Sequence, residues 1–308
     1  GEGGARPRSQ LAAFAHLVRR SFLQNVRDVR TTLLRLSSTV GLAFIFGAQF
    51  GVLDGGGPPT ARSVTSRVAL LSYGAISMGM LATMRALDRF SKERAVVGRE
   101  RAEGKFGGAT YLAAKALSEV PSDAAFAAIF AIVLKSQCGL QSPLAPLVAA
   151  HALVAATSSA LGLAVGAAAP RAEQALAVGA PIMVVHMLVG VIDPAGADSE
   201  PDGVFMRALR MLSPVRHAIE ALCLCELKDV SFAKPKGGKL SSLMAGPSMG
   251  ALAGVRSGNE VLDKLGVAEA FAQPMRALAM LCAAHLGAGL LALIATAPRF
   301  ARATPRDE

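Results

Sequence analysis

Residues 136–170 read SQCGLQSPLAPLVAAHALVAATSSALGLAVGAAAP, 35 positions without one Asp, Glu, Lys or Arg. A helix needs about 20 mostly apolar residues to cross the hydrocarbon of a bilayer. The stretch is too long for one crossing, and Pro143 and Pro146 divide it. Soluble helices pair an apolar face with a polar one. This stretch is apolar all round, which argues against a large soluble helical core. Working outward, uncharged runs of spanning length also cover 36–53, 68–84, 174–192 and 277–298. The remaining apolar segment, 111–134, carries Lys115, Glu119 and Asp123 in its first half and is clean over 124–134. Its first half reads as an interfacial helix leading into a span that starts near Pro121. The fold class is therefore all-α, a polytopic membrane protein. Its six transmembrane helices are placed at about 33–53, 67–87, 121–140, 144–169, 173–192 and 275–297.

Composition agrees. Of 308 residues, 52% are hydrophobic and 18% charged, against roughly 25% charged in soluble domains. Mean hydropathy is +0.44. Disorder is excluded by the apolar content, and a disulfide-stapled miniprotein by having four Cys in this length. There is no Trp and there are only two Tyr, so an interfacial aromatic belt is hardly available. The chain opens on GEGGARPRSQ rather than Met, as expected of a fragment or a processed form, and no signal peptide is visible.

The net charge of +10 would raise nucleic-acid binding for a soluble protein. Position gives it another meaning. Arg19, Arg20, Arg27, Arg30 and Arg35 precede the first span; Arg85, Arg89, Lys92, Arg94, Arg99, Arg101 and Lys105 follow the second; Arg299, Arg302 and Arg306 form the tail. Six spans put all three groups on one side, opposite Arg62, Arg67 and Lys135. Positive charge then places both termini in the cytoplasm and 193–274 outside.

Residues 1–32 form a flank. Within 10–35, Leu11, Phe14, Leu17 and Val18 fall at helical spacing among arginines, reading either as an amphipathic helix in the interface or as an ordinary basic flank. Residues 88–120 carry dense charge of both signs, with opposite charges three or four apart, before Gly104, Gly107 and Gly108. That pattern suits a cytoplasmic helix that docks a soluble partner, or a merely solvated loop. In 193–274, a helical stretch breaks at Ser213-Pro214, and a short helix starts at Ser257 or Asn259. Cys138, Cys223, Cys225 and Cys282 lack metal-ligand spacing; they read as buried small hydrophobes, with a bridge from Cys138 to Cys223 or Cys225 as the alternative.

Catalytic motifs are missing. No G-x-x-x-x-G-K-[ST] phosphate loop and no HExxH occur. His151 and His186 fall within spans, where ionisable residues tend to be functional. An intramembrane hydrolase using His186 would want a G-x-S-x-G elbow, which is absent. His186 reads better as a hydrogen-bonding residue in the bundle, flanked by the adaptable apolar side chains of Met183 and Met187.

ERAVVGRERAEGKF at 93–106 resembles the pattern E-R-x-V-[FY]-x-R-E-x-x-x-G-x-Y that follows the second span of ABCG (White-type) ATP-binding-cassette transporters. YLAAKALSEVP at 111–121 is similar to that family's entry to the third span. RDVRTTLLRLSSTVGLAFIFG, LSPVRHAIEALCLCEL and SGNEVLDKLGV resemble further family segments in the same order. Val97 and Phe106 stand where the family usually has aromatic residues, commonly Tyr, and the Cys that it carries shortly after the position of Phe232 is absent here.

The resemblance implies the ABC-2 type transmembrane domain of a half-transporter, moving a lipid-like or hydrophobic substrate. ATP and Mg would be bound by a nucleotide-binding domain outside this chain, in the same polypeptide or, alternatively, in a separate ATPase subunit; no cofactor is expected here. It further implies an elbow helix near 10–30, a cytoplasmic coupling helix with Glu93, Arg94, Arg99, Glu100 and Gly104, and a homo- or heterodimer. Spans two and five would line the path, with Ser77, Met80, Met84, Met183, His186 and Met187 on it. Membrane lipid is the expected surroundings, in the plasma membrane or an organelle, and nucleic acid is not a partner.

Overall fold

The computed structural model describes residues 10–60, 63–103, 105–169, 171–192, 203–232, 255–267 and 270–296. Gly104, the arginines of the tail and the Gly/Lys-rich part of the long loop lie outside them. The helices run in order: α1 Gln10–Arg27, α2 Val29–Phe50, α3 Val64–Ala102, α4 Gly108–Cys138, α5 Leu144–Ala168, α6 Ala172–Gly190, α7 Val204–Met211, α8 Pro214–Leu227, α9 Gly258–Lys264 and α10 Ala272–Ala295. The only pairing of extended backbone among the described residues is one bridge, Ser231 to Ser257.

Six helices, α2 to α6 and α10, are long and apolar enough to cross a membrane. They coincide with the six spans read from sequence, with two differences in how those spans begin and end. α3 does not stop at 87 but continues to Ala102, 39 residues in all. At 1.5 Å per residue that is about 58 Å, nearly twice the hydrocarbon thickness. Its charged half is thus the rigid continuation of a span, not a separate helix. No Pro interrupts 64–102, so the backbone ladder has no reason to break. Likewise α4 is one helix from Gly108, with Pro121 inside it, rather than an interfacial helix followed by a span. A Pro costs one backbone hydrogen bond, but in lipid the remaining backbone groups can be satisfied only by staying helical.

α5 sits at the centre, packed on α3, α4 and α10. Small residues allow this. A Cβ added at Gly162 would stand 2.7 Å from the Thr83 carbonyl oxygen of α3. The Thr157 hydroxyl lies 2.8 Å from the Leu153 carbonyl and 3.1 Å from that of Leu278, tying α5 to α10. The perimeter is apolar: Leu33, Leu34, Phe44 and Ile45 of α2, Leu188 of α6, and Met280, Leu291 and Ile294 of α10 are each more than half exposed. In water so large an apolar surface would drive aggregation; against lipid tails it is the ordinary exterior of a membrane bundle.

α8, within the segment 193–274, packs against the bundle. Ser213 caps it, accepting from the Arg216 amide and donating to the His186 carbonyl at 2.9 Å, with Pro214 in the first turn. Val215, Ala218, Ile219, Leu222, Cys223 and Leu227 are fully buried, packed among α3, α5, α6 and α10. All four cysteines are free, so the alternative of a bridge from Cys138 is not what the structure contains.

The less deeply buried side of α8 carries a titratable pair. Glu220 accepts from Arg216 Nε at 2.7 Å and lies 3.4 Å from His217 Nδ1. Burial opposes both charges. For His217 this is outweighed by bonds to Glu220 and the Met211 carbonyl, which raise its pKa above 6.5. For Glu220 it is outweighed by His217 and Arg216, which hold its pKa below 4.5. The raised histidine adds stability that is complete below 6.5 and lost as pH rises through the folded-state value. The depressed carboxylate adds stability above 4.5 that is lost as pH falls. Melting temperature should therefore decline from pH 6 to 8 in the wild type (values bracketing the usual histidine range), and His217→Asn should flatten that slope. An unaltered slope in the variant would count against the pair.

Candidate coupling site at the α1 end of the bundle

α1 lies across α4 and reaches the charged end of α3 through the Arg20 side chain. Asp28 separates α1 from α2; its carboxylate caps α2 by accepting from the Thr31 amide at 3.1 Å. Hydrogen bonds from the Thr31 side chain and then its amide hold the Asp28 carboxyl below the usual carboxylate range. From this corner a network of ion pairs runs inward. Arg20 of α1 grips Glu100 of α3 with both carboxylate oxygens at 2.8 and 3.0 Å. Asn25 accepts from Arg89 of α3. Arg35 of α2 bonds Asp123 at 2.9 Å and Ser122 at 3.0 Å, with its guanidinium 3.8 Å above the Phe126 ring. Arg85 of α3 shares Asp123. Lys115, almost fully buried, pairs with Glu93 at 2.5 Å and Glu119 at 3.3 Å.

These residues sort by depth. Asp123, Glu119 and Lys115 are inside the bundle; Glu100 and Arg20 are part-exposed at its edge. An ion removed from water without partners costs several kcal/mol, so the inner charges fix how α2, α3 and α4 meet. Apolar contacts brace the same corner. Val97 and Phe106 are buried, and Phe106 stacks on Tyr111 with ring centres 6.2 Å apart, so both positions where the sequence departs from the family pattern still fill the cluster.

The expected coupling residues fall into distinct roles. Glu93 is tied to Lys115 and accepts from the Tyr111 hydroxyl at 3.1 Å. Arg94 donates to the Gly166 carbonyl at the end of α5, 3.2 Å away. Glu100 holds Arg20, and Arg99 is exposed. Gly104 lies outside the described residues. Among the described residues, no three His, Cys, Asp or Glu side chains group as a metal site.

With this geometry in view, the comparisons decide the family. A family model described as "ABC-2 type transporter" matches residues 12–227, from the first turn of α1 to the end of α8. The chain belongs to the ABC-2 type transporter family. Of the similar curated proteins, three are from Arabidopsis thaliana. ABC transporter G family member 7 is 33% identical over 222 residues, covering 71% of this chain and 30% of its own length. ABC transporter G family member 25 is 28% identical over 185 residues, 59% of this chain and 26% of that protein. Member 22 is 26% identical over 201 residues, 64% and 25%. The chain thus spans less than a third of the length of each of these relatives. This ABC-2 domain is of the ABCG type, as the motifs implied, and is an integral multi-pass membrane protein.

In this ABC-2 domain α3 and α6 pack together as spans two and five, and the six residues expected on a path differ in exposure. Met183 is buried, its sulfur 3.3 Å from the Thr83 hydroxyl, and a Cβ at Gly79 would meet its methyl at 3.5 Å. It is packing between α3 and α6. Met80 and Met187 are exposed; Ser77, Met84 and His186 are half-buried. Sequence reasoning passed over a second polar cluster at the opposite end. There Arg67, fully buried at the start of α3, bonds Asp54 at 2.9 Å and pairs with Glu226 of α8. The signal was available: Glu226 sits in the apolar half of α8, past Ala221, and Arg67 at the mouth of a span, and such charges call for each other.

Proposed function

We propose that this ABC-2 domain is the permease part of an ATP-driven ABCG-type transporter for a lipid-like or hydrophobic substrate. The observation that carries the reading is the continuity of α3: one unbroken helix runs from the centre of the bundle to a charged end tied to α1. A motor that pushes on that end moves the span itself. The motor is a nucleotide-binding domain outside these residues, holding ATP and Mg, in the same polypeptide or a separate ATPase subunit. Both termini and the charged end of α3 face the cytoplasm, in accord with the arginine distribution; the membrane is the plasma membrane or that of an organelle. Two copies, identical or different, are required. The exposed apolar side chains of α6, Leu176, Val178, Val184 and Val185, and the exposed Met80 and Met187 support a hydrophobic path alongside a partner copy.

The test is transport by the full-length protein, with any ATPase subunit, in proteoliposomes loaded with a fluorescent lipid analogue. Movement that requires ATP hydrolysis is expected. Equal movement with a non-hydrolysable ATP analogue would contradict it.

A further inference from the structure

We infer that Arg94 and Arg101 are positioning residues that carry movement of the α3 end to the last turns of α5 and α10. Arg94 and Arg101 stand seven residues apart, as do Glu93 and Glu100. That spacing is close to two helical turns, so the arginines share one face of α3 and the acids share the next. The acids serve α4 and α1, through Lys115 and Arg20. The arginines reach two further helices that end at this corner. Arg94 donates to the Gly166 carbonyl at 3.2 Å, and Arg101 Nη2 donates to the Leu293 carbonyl at 2.8 Å. α5 ends at Ala168 and α10 at Ala295, so each acceptor lies in the last turn of its helix.

Such carbonyls suit a guanidinium. The last four carbonyls of a helix lack an intrahelical partner, and the aligned peptide dipoles draw a cation to that end. The lack is strict at Gly166. Its partner four residues on would be the amide of position 170, a proline without an N–H. Both joints are close. A Cβ added at Gly166 would stand 3.1 Å from the Phe90 ring of α3. One added at Gly108 would stand 3.2 Å from Arg101 Nη2 and 3.4 Å from Leu293 Cβ. Phe90, Val97, Leu163, Ala167 and Leu293 share one apolar cluster at this end. α10 packs on α4, α5 and α8, and Arg101 joins it to α3. A displacement of the α3 end thus pulls on α5 and α10 directly, without passing through α1. This rests on the motor proposed above acting at that end, and the experiment separates the two.

The experiment is hydrogen–deuterium exchange of the full-length protein, with any ATPase subunit, in nanodiscs, nucleotide-free and trapped with ATP, Mg and vanadate. In the wild type, amides in the last turns of α5 and α10 should differ in exchange rate between the two states by about tenfold, within the usual range of coupling between sites. Arg101→Met keeps an unbranched side chain and loses the donors; it should abolish the difference at α10 and keep it at α5. Arg94→Met should do the reverse. Arg101→Lys, which retains a cationic donor, should restore the α10 response. Because the two arginines serve different helices, one folded variant is enough for a decision. A response at α10 that survives Arg101→Met overturns the inference and leaves the proposed function standing; faster exchange there in both states would mark the arginine as a plain helix cap. A wild-type response confined to other helices overturns it in the same way. Exchange indifferent to nucleotide throughout the wild type overturns both readings.

Discussion

Arg67→Leu should leave little folded protein. The Arg67 side chain is fully buried and serves three partners from different parts of the chain. It bonds Asp54 at 2.9 Å in the turn after α2, Ser63 at 3.2 Å at the head of α3, and Glu226 in α8. Glu226 in turn accepts from the amides of Gln141 and Ser142, between α4 and α5, at 3.1 and 2.8 Å. One guanidinium thus fastens the α2–α3 connection to α8 and, through Glu226, to the α4–α5 connection. Asp54 adopts a left-handed backbone, φ 51°, an uncommon state that non-glycine residues enter at some cost; it turns the carboxylate back onto Thr60, Ser63 and Arg67. Burial opposes that charge, but bonds from Ser63, Arg67 and Thr60 together hold the Asp54 pKa below its ordinary value.

Deleting the cation leaves Glu226 charged, buried and short of its partner. Breaking a buried pair in this way costs about 3–5 kcal/mol, a large share of the roughly 5–15 kcal/mol that holds a typical fold. Detergent-solubilised Arg67→Leu should melt on the order of 10 °C lower by size-exclusion thermostability. Glu226→Gln, which keeps an acceptor for the two amides, should lose less. A melting temperature equal to wild type in Arg67→Leu would mean that the cluster does not hold this end together.

How much of this was legible in the residues depends on what kind of signal each feature left. The spans were, because a lipid exterior forces long apolar runs, and residues 36–53 or 277–298 admit no other reading. The helical content of 204–227 was legible from local chemistry, with its break at Ser213-Pro214, as was a short helix starting at Ser257 or Asn259, of which Ser257 is the cap. The burial of α8 was not, because its position is set by Arg67 reaching from 159 residues away, and no local pattern encodes such a pairing. The 93–106 motif marked where a partner would engage, yet its residues proved unequal. Glu93 faces inward to a lysine that itself lies in an apolar-rich helix, whereas Glu100 faces α1. The difference depends on the phase of α3, which could be set only once the helix was known to run unbroken from Val64.

That difference makes Arg20 and Glu100 the probes for the lever. Their side chains are 36% and 21% exposed, so the pair contributes at most about 1 kcal/mol to folding, and reversing one charge should spare the bundle. Glu93 offers no such freedom, because its reversal would strand Lys115. If α1 and α3 pass force as one body, Glu100→Arg sets two cations against each other at the joint and loosens it. ATP hydrolysis should then persist while substrate moved per ATP falls on the order of tenfold, within the range of known coupling energies. Combining Arg20→Glu with Glu100→Arg rebuilds the pair in reverse and isolates the interaction from the individual side chains.

The most direct measurement is therefore the ratio of substrate transported to ATP hydrolysed, in proteoliposomes containing the full-length protein, for the wild type, both single reversals and the swap. A ratio lost in each single variant and regained in the swap is the predicted result; an undisturbed ratio in Glu100→Arg would contradict the account.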